Sequence, residues 1–175
     1  MKSALLILDV QNGFIQSGSF DKALHNMESL ATYFKEKDEP VILTRHIDQN
    51  PKSLIQDQTF NGELYDTFIP YADAVFHKKQ PSAFKETDLE TYLKVNKITN
   101  LIITGFNVEY CCLFNSIIAH EKGFSVTFIE DASATVNTDE TYEMPGLDIR
   151  DFVATVLHWS GCIQVVDTEE YIQLP

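Results

Sequence analysis

Three side chains with complementary chemistry lie far apart in this chain: the carboxylate of Asp9, the amine of Lys78 and the thiol of Cys111. Each stands at or just beyond the end of an apolar run. Leu6-Ile7-Leu8 leads into Asp9, Ala72 to Phe76 leads toward Lys78, and Leu101 to Gly105 leads through a turn to Cys111. A thiol can serve as a nucleophile, a carboxylate can move its proton, and an ammonium can hold both anions in place. A cysteine in the first turn of a helix sits beside unpaired N–H groups and the positive end of the helix dipole. That setting is expected to favour thiolate over thiol. Cys112 follows about 100° further round the helix, so one of the two thiols can face a cleft while the other packs inward.

Other candidates carry less. Lys78 and Lys79 close the same strand, and alternation sends one toward the cleft side and the other out of the sheet. His46 and Asp48 follow the second apolar run, but one histidine with one carboxylate falls short of a metal site. His25, His77, His120 and His158 are scattered and give no cysteine–histidine arrangement. The third cysteine, Cys162, leaves an odd count, with no CxxC pair, which does not make a disulfide framework.

These residues need a scaffold that gathers strand ends. Apolar strands are expected at Ala4 to Val10, Pro40 to Arg45, Ala72 to Lys78, Leu101 to Gly105, Phe124 to Glu130 and Ile163 to Val166. Helices are expected at Lys22 to Lys37, Asp88 to Val95, Tyr110 to Lys122 and Asp148 to Ser160. Ile47 to Pro70 lacks periodicity and reads as a long functional loop with room for one short helix. The alternation predicts an α/β fold, a six-stranded, mostly parallel sheet with helices on both faces. Side chains at the carboxyl ends of such strands converge on one crevice.

The totals agree. A chain of 175 residues fits one domain, 1–175, with a sizeable core. A net charge of −13, without a basic stripe, argues against nucleic acid and anionic lipid. No apolar run reaches membrane-spanning length. The charged start passes straight into a strand rather than a signal segment, so a cytoplasmic location is expected. No G-x-G-x-x-G follows Asp9, which argues against a dinucleotide-binding domain. The acidic pair of a receiver domain is missing too.

Together these segments resemble the isochorismatase-like cysteine hydrolases, the group of nicotinamidases, carbamoyl-amide hydrolases and isochorismatases. Leu6 to Phe14 is similar to that family's opening motif. Lys78, four residues before Ser82-Ala83-Phe84, is similar to its lysine motif, and Thr104 to Cys111 to its nucleophile motif. Phe124 to Ala132 resembles the strand that follows. The resemblance implies a triad of Asp9, Lys78 and Cys111, with Cys111 rather than Cys112 as nucleophile. It implies a cis peptide between Phe106 and Asn107 and an oxyanion hole from the N–H groups of Asn107 and Cys111. Gln11, Phe14, Phe84 and Tyr110 are candidates for the substrate pocket.

In the family's nicotinamidases a metal is held by an Asp and His residues after the second strand. Here His46 stands where that Asp would be and Asp48 where a His would be. The expectation is therefore no metal and no cofactor, a small-molecule amide, carbamoyl or imide substrate, and a homo-oligomer, dimer or tetramer. Two alternatives stand beside it. One is a non-catalytic binding or scaffold descendant. The other is an isochorismatase-type vinyl ether hydrolase using Asp9 as acid, whose known members lack the nucleophilic cysteine.

Overall fold

The computed structural model describes residues 2–173. Six strands form one parallel sheet: β1 (Ser3–Leu8), β2 (Val41–His46), β3 (Ala74–Lys78), β4 (Asn100–Gly105), β5 (Ser125–Ser133) and β6 (Gln164–Val166). Their spatial order is β3-β2-β1-β4-β5-β6. The order reverses between β1 and β4, and a crevice opens at such a switch point beyond the carboxyl ends of the strands.

Helices cover both faces. α1 (Asn12–Ile15) is a single turn after β1, and α2 is Asp21–Glu36. α3 is Leu89–Val95, α4 Leu113–Glu121, α5 Ile149–Trp159 and α6 Thr168–Gln173. On one face Leu5 and Ile7 of β1 pack with Met27, Leu30 and Phe34 of α2. On the other, Leu6 and Leu8 share a core with Leu93 of α3, Ala119 of α4 and Leu157 of α5. Every side chain of β1 is buried, which explains its unbroken apolar run.

Several elements differ from the sequence expectation. β5 runs three residues further, to Ser133, with a register irregularity beside Ile103 and Gly105. Its Asp131 accepts from the backbone N–H and the hydroxyl of Thr168, tying down α6, which hydrophobic periodicity did not reveal. The long loop contains two 3₁₀ turns, Phe60–Gly62 and Asp66–Tyr71, where one short helix was expected. The helix after β4 opens with a π-helical turn, Val108–Cys112, before α4 begins. Cys111 therefore lies in a widened turn rather than in the first turn of a regular helix, a form often found at functional sites.

Candidate active site

Asp9, Lys78 and Cys111 come together at the switch point. Asp9 leaves the end of β1 with φ of 51°, a left-handed conformation that aspartate tolerates better than most residues. Lys78 ends β3, where His46 of β2 is its register partner. Gly105 ends β4 with φ of 121°, and a Cβ there would meet the Leu8 carbonyl oxygen at 2.2 Å. Only glycine lets β4 close on β1 at this point. The following Phe106–Asn107 peptide is cis.

The centre of the site is the Lys78 ammonium, on a side chain with no exposed surface. It lies 2.7 Å from Asp9 Oδ2 and donates to Cys111 Sγ at 3.2 Å and to the Gln80 carbonyl at 3.1 Å. His46 Nδ1 is 2.9 Å away. An ammonium has no lone pair, so Nδ1 accepts and the imidazole keeps its proton on Nε2. The Thr44 hydroxyl donates to Asp9 Oδ1 at 2.7 Å and fixes the carboxylate. The other oxygen, Oδ2, is an ion-pair partner by distance yet makes no well-angled hydrogen bond among the described residues.

Burial and charge decide the resting protonation. Burial lowers the Lys78 pKa, but its acidic partners, Asp9 foremost, outweigh it and the net shift is upward. For Cys111, burial and then the Asp9 carboxylate push the thiol well up, and Lys78 offsets this only in part. One cation beside two potential anions in a dry site supports one anion, not two. Burial and the neighbouring Asp9 therefore favour the neutral thiol at Cys111, against the thiolate expectation. The helix-end argument does not carry over, because Cys111 lies in the π-helical turn ahead of α4. Burial, then Lys78, hold His46 below its usual value, so it is neutral at pH 7.

Asp9, His46 and Cys111 offer donor atoms within 4.8 Å of one another, a spacing that would suit a metal ion. All three, however, already face the Lys78 ammonium, so that cation occupies the centre of the donor set. The residues do not fit a metal at this point.

A cavity of about 320 Å³ opens beside the cluster. Asp9, Asn107 and Cys111 form its reactive end, and Phe14, Tyr110, Leu54 and Ile55 line its sides. The loop after β2 is seated tightly. A Cβ on Gly13 would fall 1.7 Å from the Leu54 carbonyl oxygen, so α1 and the loop meet backbone to backbone. The Asn107 N–H has no acceptor among the described residues, and that of Cys111 has none outside its own turn.

The remaining candidates divide. Cys112 is fully buried in the core and Lys79 is exposed. Gln11 does not line the cavity. Its amide donates to the carbonyls of His46 and Gly62 and accepts from the His46 N–H, fastening the loop to β2. Phe84 also lies outside it, packed 6.2 Å from the Phe124 ring. Both were expected in the pocket because they flank motifs, but their side chains turn toward backbone and core. Asn115 went unnoticed. It accepts from the Ala83 N–H at 2.7 Å and donates to the carbonyls of Pro81 and Cys111, tying the turn after Lys78 to the cysteine. Its place four residues after Cys111, on the same helix face, was the available signal.

The family model described as the isochorismatase domain matches residues 3–160. The chain is 30% identical over 138 residues to an uncharacterized isochorismatase family protein, YrdC, of Bacillus subtilis, covering 76% of this chain and 74% of that one. It is 28% identical over 151 residues to nicotinamidase 3 of Arabidopsis thaliana, covering 78% and 75%. The crystal structure of a cysteine hydrolase from Pseudomonas syringae superposes with a TM-score of 0.85 at 19% identity, covering 98% of this chain and 91% of that one. That likeness shows the fold.

Proposed function

Because the chain belongs to the isochorismatase family of hydrolases, we propose that it cleaves the C–N bond of a small amide, carbamoyl compound or imide through a thioester on Cys111. The observation that carries this is the single buried ammonium touching both Asp9 Oδ2 and Cys111 Sγ beside a cavity. Similarity to a protein named as a nicotinamidase supports an amide as the cleaved group.

The steps follow from the resting charges. As Sγ bonds to the substrate carbonyl carbon, its proton passes to Asp9. No net charge is buried, because the carboxylate charge moves into the oxyanion. The N–H groups of Asn107 and Cys111 receive that oxyanion, each donor worth about 3 kcal/mol in comparable sites. On collapse the C–N bond breaks, Asp9 returns the proton to the leaving nitrogen, and an acyl thioester remains. Water then attacks with Asp9 as base, and the sulfur leaves as the thiol. Lys78 stays cationic throughout and holds the two acidic groups at one point. The presence of Cys111 speaks against the vinyl ether alternative.

Ammonia release from a panel of small primary amides, N-carbamoyl compounds and imides tests the reading. Turnover by the wild type that is lost in Cys111→Ala upholds it. Turnover surviving in Cys111→Ala overturns it.

We further propose a homodimer closed on the outer faces of α4 and α5. Phe114 and Ile117 on α4 and Phe152, Val156 and Trp159 on α5 are 45–82% exposed. Neither Tyr110–Ala119 nor Phe152–Ser160 contains an Asp, Glu, Lys or Arg, so two copies of this acidic chain can meet there without repulsion. With Tyr110 and Met144 these side chains offer on the order of 600 Å², most of the ~800 Å² per partner of a standard interface. Sedimentation should give a dimer, and Phe114→Glu with Trp159→Glu a monomer. A wild-type monomer at micromolar concentration would refute it. Three free thiols, one of them the exposed Cys162, suit a reducing compartment such as the cytoplasm.

A further inference from the structure

We infer that the cavity selects amides whose far end is cationic or donates hydrogen bonds, rejecting carboxylates, with Asp48 as the residue that discriminates. The inference rests on the proposed hydrolysis at Cys111 and concerns another part of the same cavity's lining.

The lining supplies the argument. At the reactive end Asp9 and the Lys78 ammonium cancel each other. His46 stands beside that pair, and with Asp48 and Ser53 it adds polar groups to the lining, between apolar walls. His46 is neutral and offers one ring N–H, because its Nδ1 already accepts from Lys78. Asp48 accepts from the Asn50 N–H at 2.9 Å, and that bond, with the Ser53 hydroxyl, holds its carboxyl below the usual range. It is ionised throughout the physiological range.

No lysine or arginine lines the cavity among the described residues. The two cations on the strands that carry the site, Lys78 and Arg45, are already engaged. The Lys78 ammonium has four polar neighbours. Arg45 donates to the Gly62 carbonyl and to the carboxylates of Asp57 and Glu63 at 2.8–2.9 Å. The cavity therefore holds one uncancelled negative charge. A carboxylate substrate would lose hydration and meet Asp48 without a counter-charge. An ammonium or amide N–H would gain a partner there. The volume lies at the small end of ligand sites, which suits a single ring carrying one such group.

Three probes of one shape test this on Cys111→Ser protein, where binding is read without turnover: 4-(aminomethyl)benzamide, benzamide and 4-carbamoylbenzoate. By titration calorimetry the ammonium compound should bind about tenfold tighter than the carboxylate, the scale of one partly screened charge pair. Asp48→Asn keeps the acceptor for the Asn50 N–H and should reduce that ratio to about two. Asp48→Lys should invert the order. Equal or tighter binding of the carboxylate, a ratio unmoved by Asp48→Asn, or no saturable binding of any probe overturns the inference. Wild-type ammonia release lost in Cys111→Ala would still uphold the hydrolytic reading in each of those cases, so the two fail separately.

Discussion

Two clusters in this protein are built from the same materials and differ in everything that follows from burial. In one, Lys78 joins Asp9 and Cys111 with no side-chain exposure of the lysine or the aspartate. In the other, Glu90 is clasped by Lys94 and Lys122 at 2.6 and 2.5 Å on the surface of α3 and α4. The surface contacts are as short as the buried one. Water solvates each surface partner in any arrangement, so little depends on which contact forms. Inside the sheet rim no water replaces a lost partner. The buried lysine therefore fixes how many protons its neighbours hold and where they sit. Short distances do not distinguish a working charge cluster from an ornamental one; the solvent around it does.

The comparison is tested hardest by removing the sulfur. Cys111→Ala should reduce turnover to background in a folded protein, since the thiol lies at a cavity edge, whereas Cys112→Ala should retain activity and lose stability from the core. Asp9→Asn should cost 10²–10⁴-fold or more in kcat, the range for a proton-transferring group. Lys78→Met leaves the Asp9 carboxylate buried without its counter-ion and should cost about 3–5 kcal/mol in denaturant unfolding as well as activity. A Lys78→Met protein of wild-type stability would place the buried cluster in the same class as the surface one.

How far these clusters could be seen in the sequence differs as well. Asp9, Lys78 and Cys111 stood at the ends of apolar runs, and a parallel sheet gathers such ends whatever their separation in the chain. The parallel sheet and the four longer helices that cover it followed from the alternation of patterns. Side-chain direction did not, so Gln11 and Phe84 were expected in a pocket they do not line. Thr44 was visible only as a polar residue inside an apolar run. His46, two residues on and on the same side of β2, was weighed as a metal ligand instead of a partner of Lys78. The protonation of Cys111 was beyond reach, because it depends on burial and on a carboxylate about one hundred positions away.

That protonation gives the next test. Peptide-resolved alkylation with iodoacetamide reads Cys111 against the exposed Cys162 on the same molecule. A raised thiol pKa means less thiolate at neutral pH, so Cys111 should react more slowly than Cys162 at pH 7–8. Asp9→Asn removes the adjacent negative charge while Lys78 remains, so labelling of Cys111 should accelerate. Fast labelling of wild-type Cys111 at pH 7 would restore the thiolate picture and with it the helix-end argument.

The smallest effect is expected at the surface cluster, where the sign can still be worked out. Hydrogen bonds from Lys122, then from Lys94, lower the Glu90 pKa to about 2. A depressed carboxyl contributes stability above its unfolded value near 4.5, lost as pH falls toward 2. Because Glu90 is only half-buried and its lysine partners reach solvent, screening should remove most of that contribution. Glu90→Gln should thus leave the denaturant midpoint at pH 7 within error, at low salt and at 0.5 M alike, and leave turnover unchanged. A salt-sensitive loss of stability in that variant would mean that the geometry of the clasp counts even in solvent, and that burial alone does not separate the two lysine clusters.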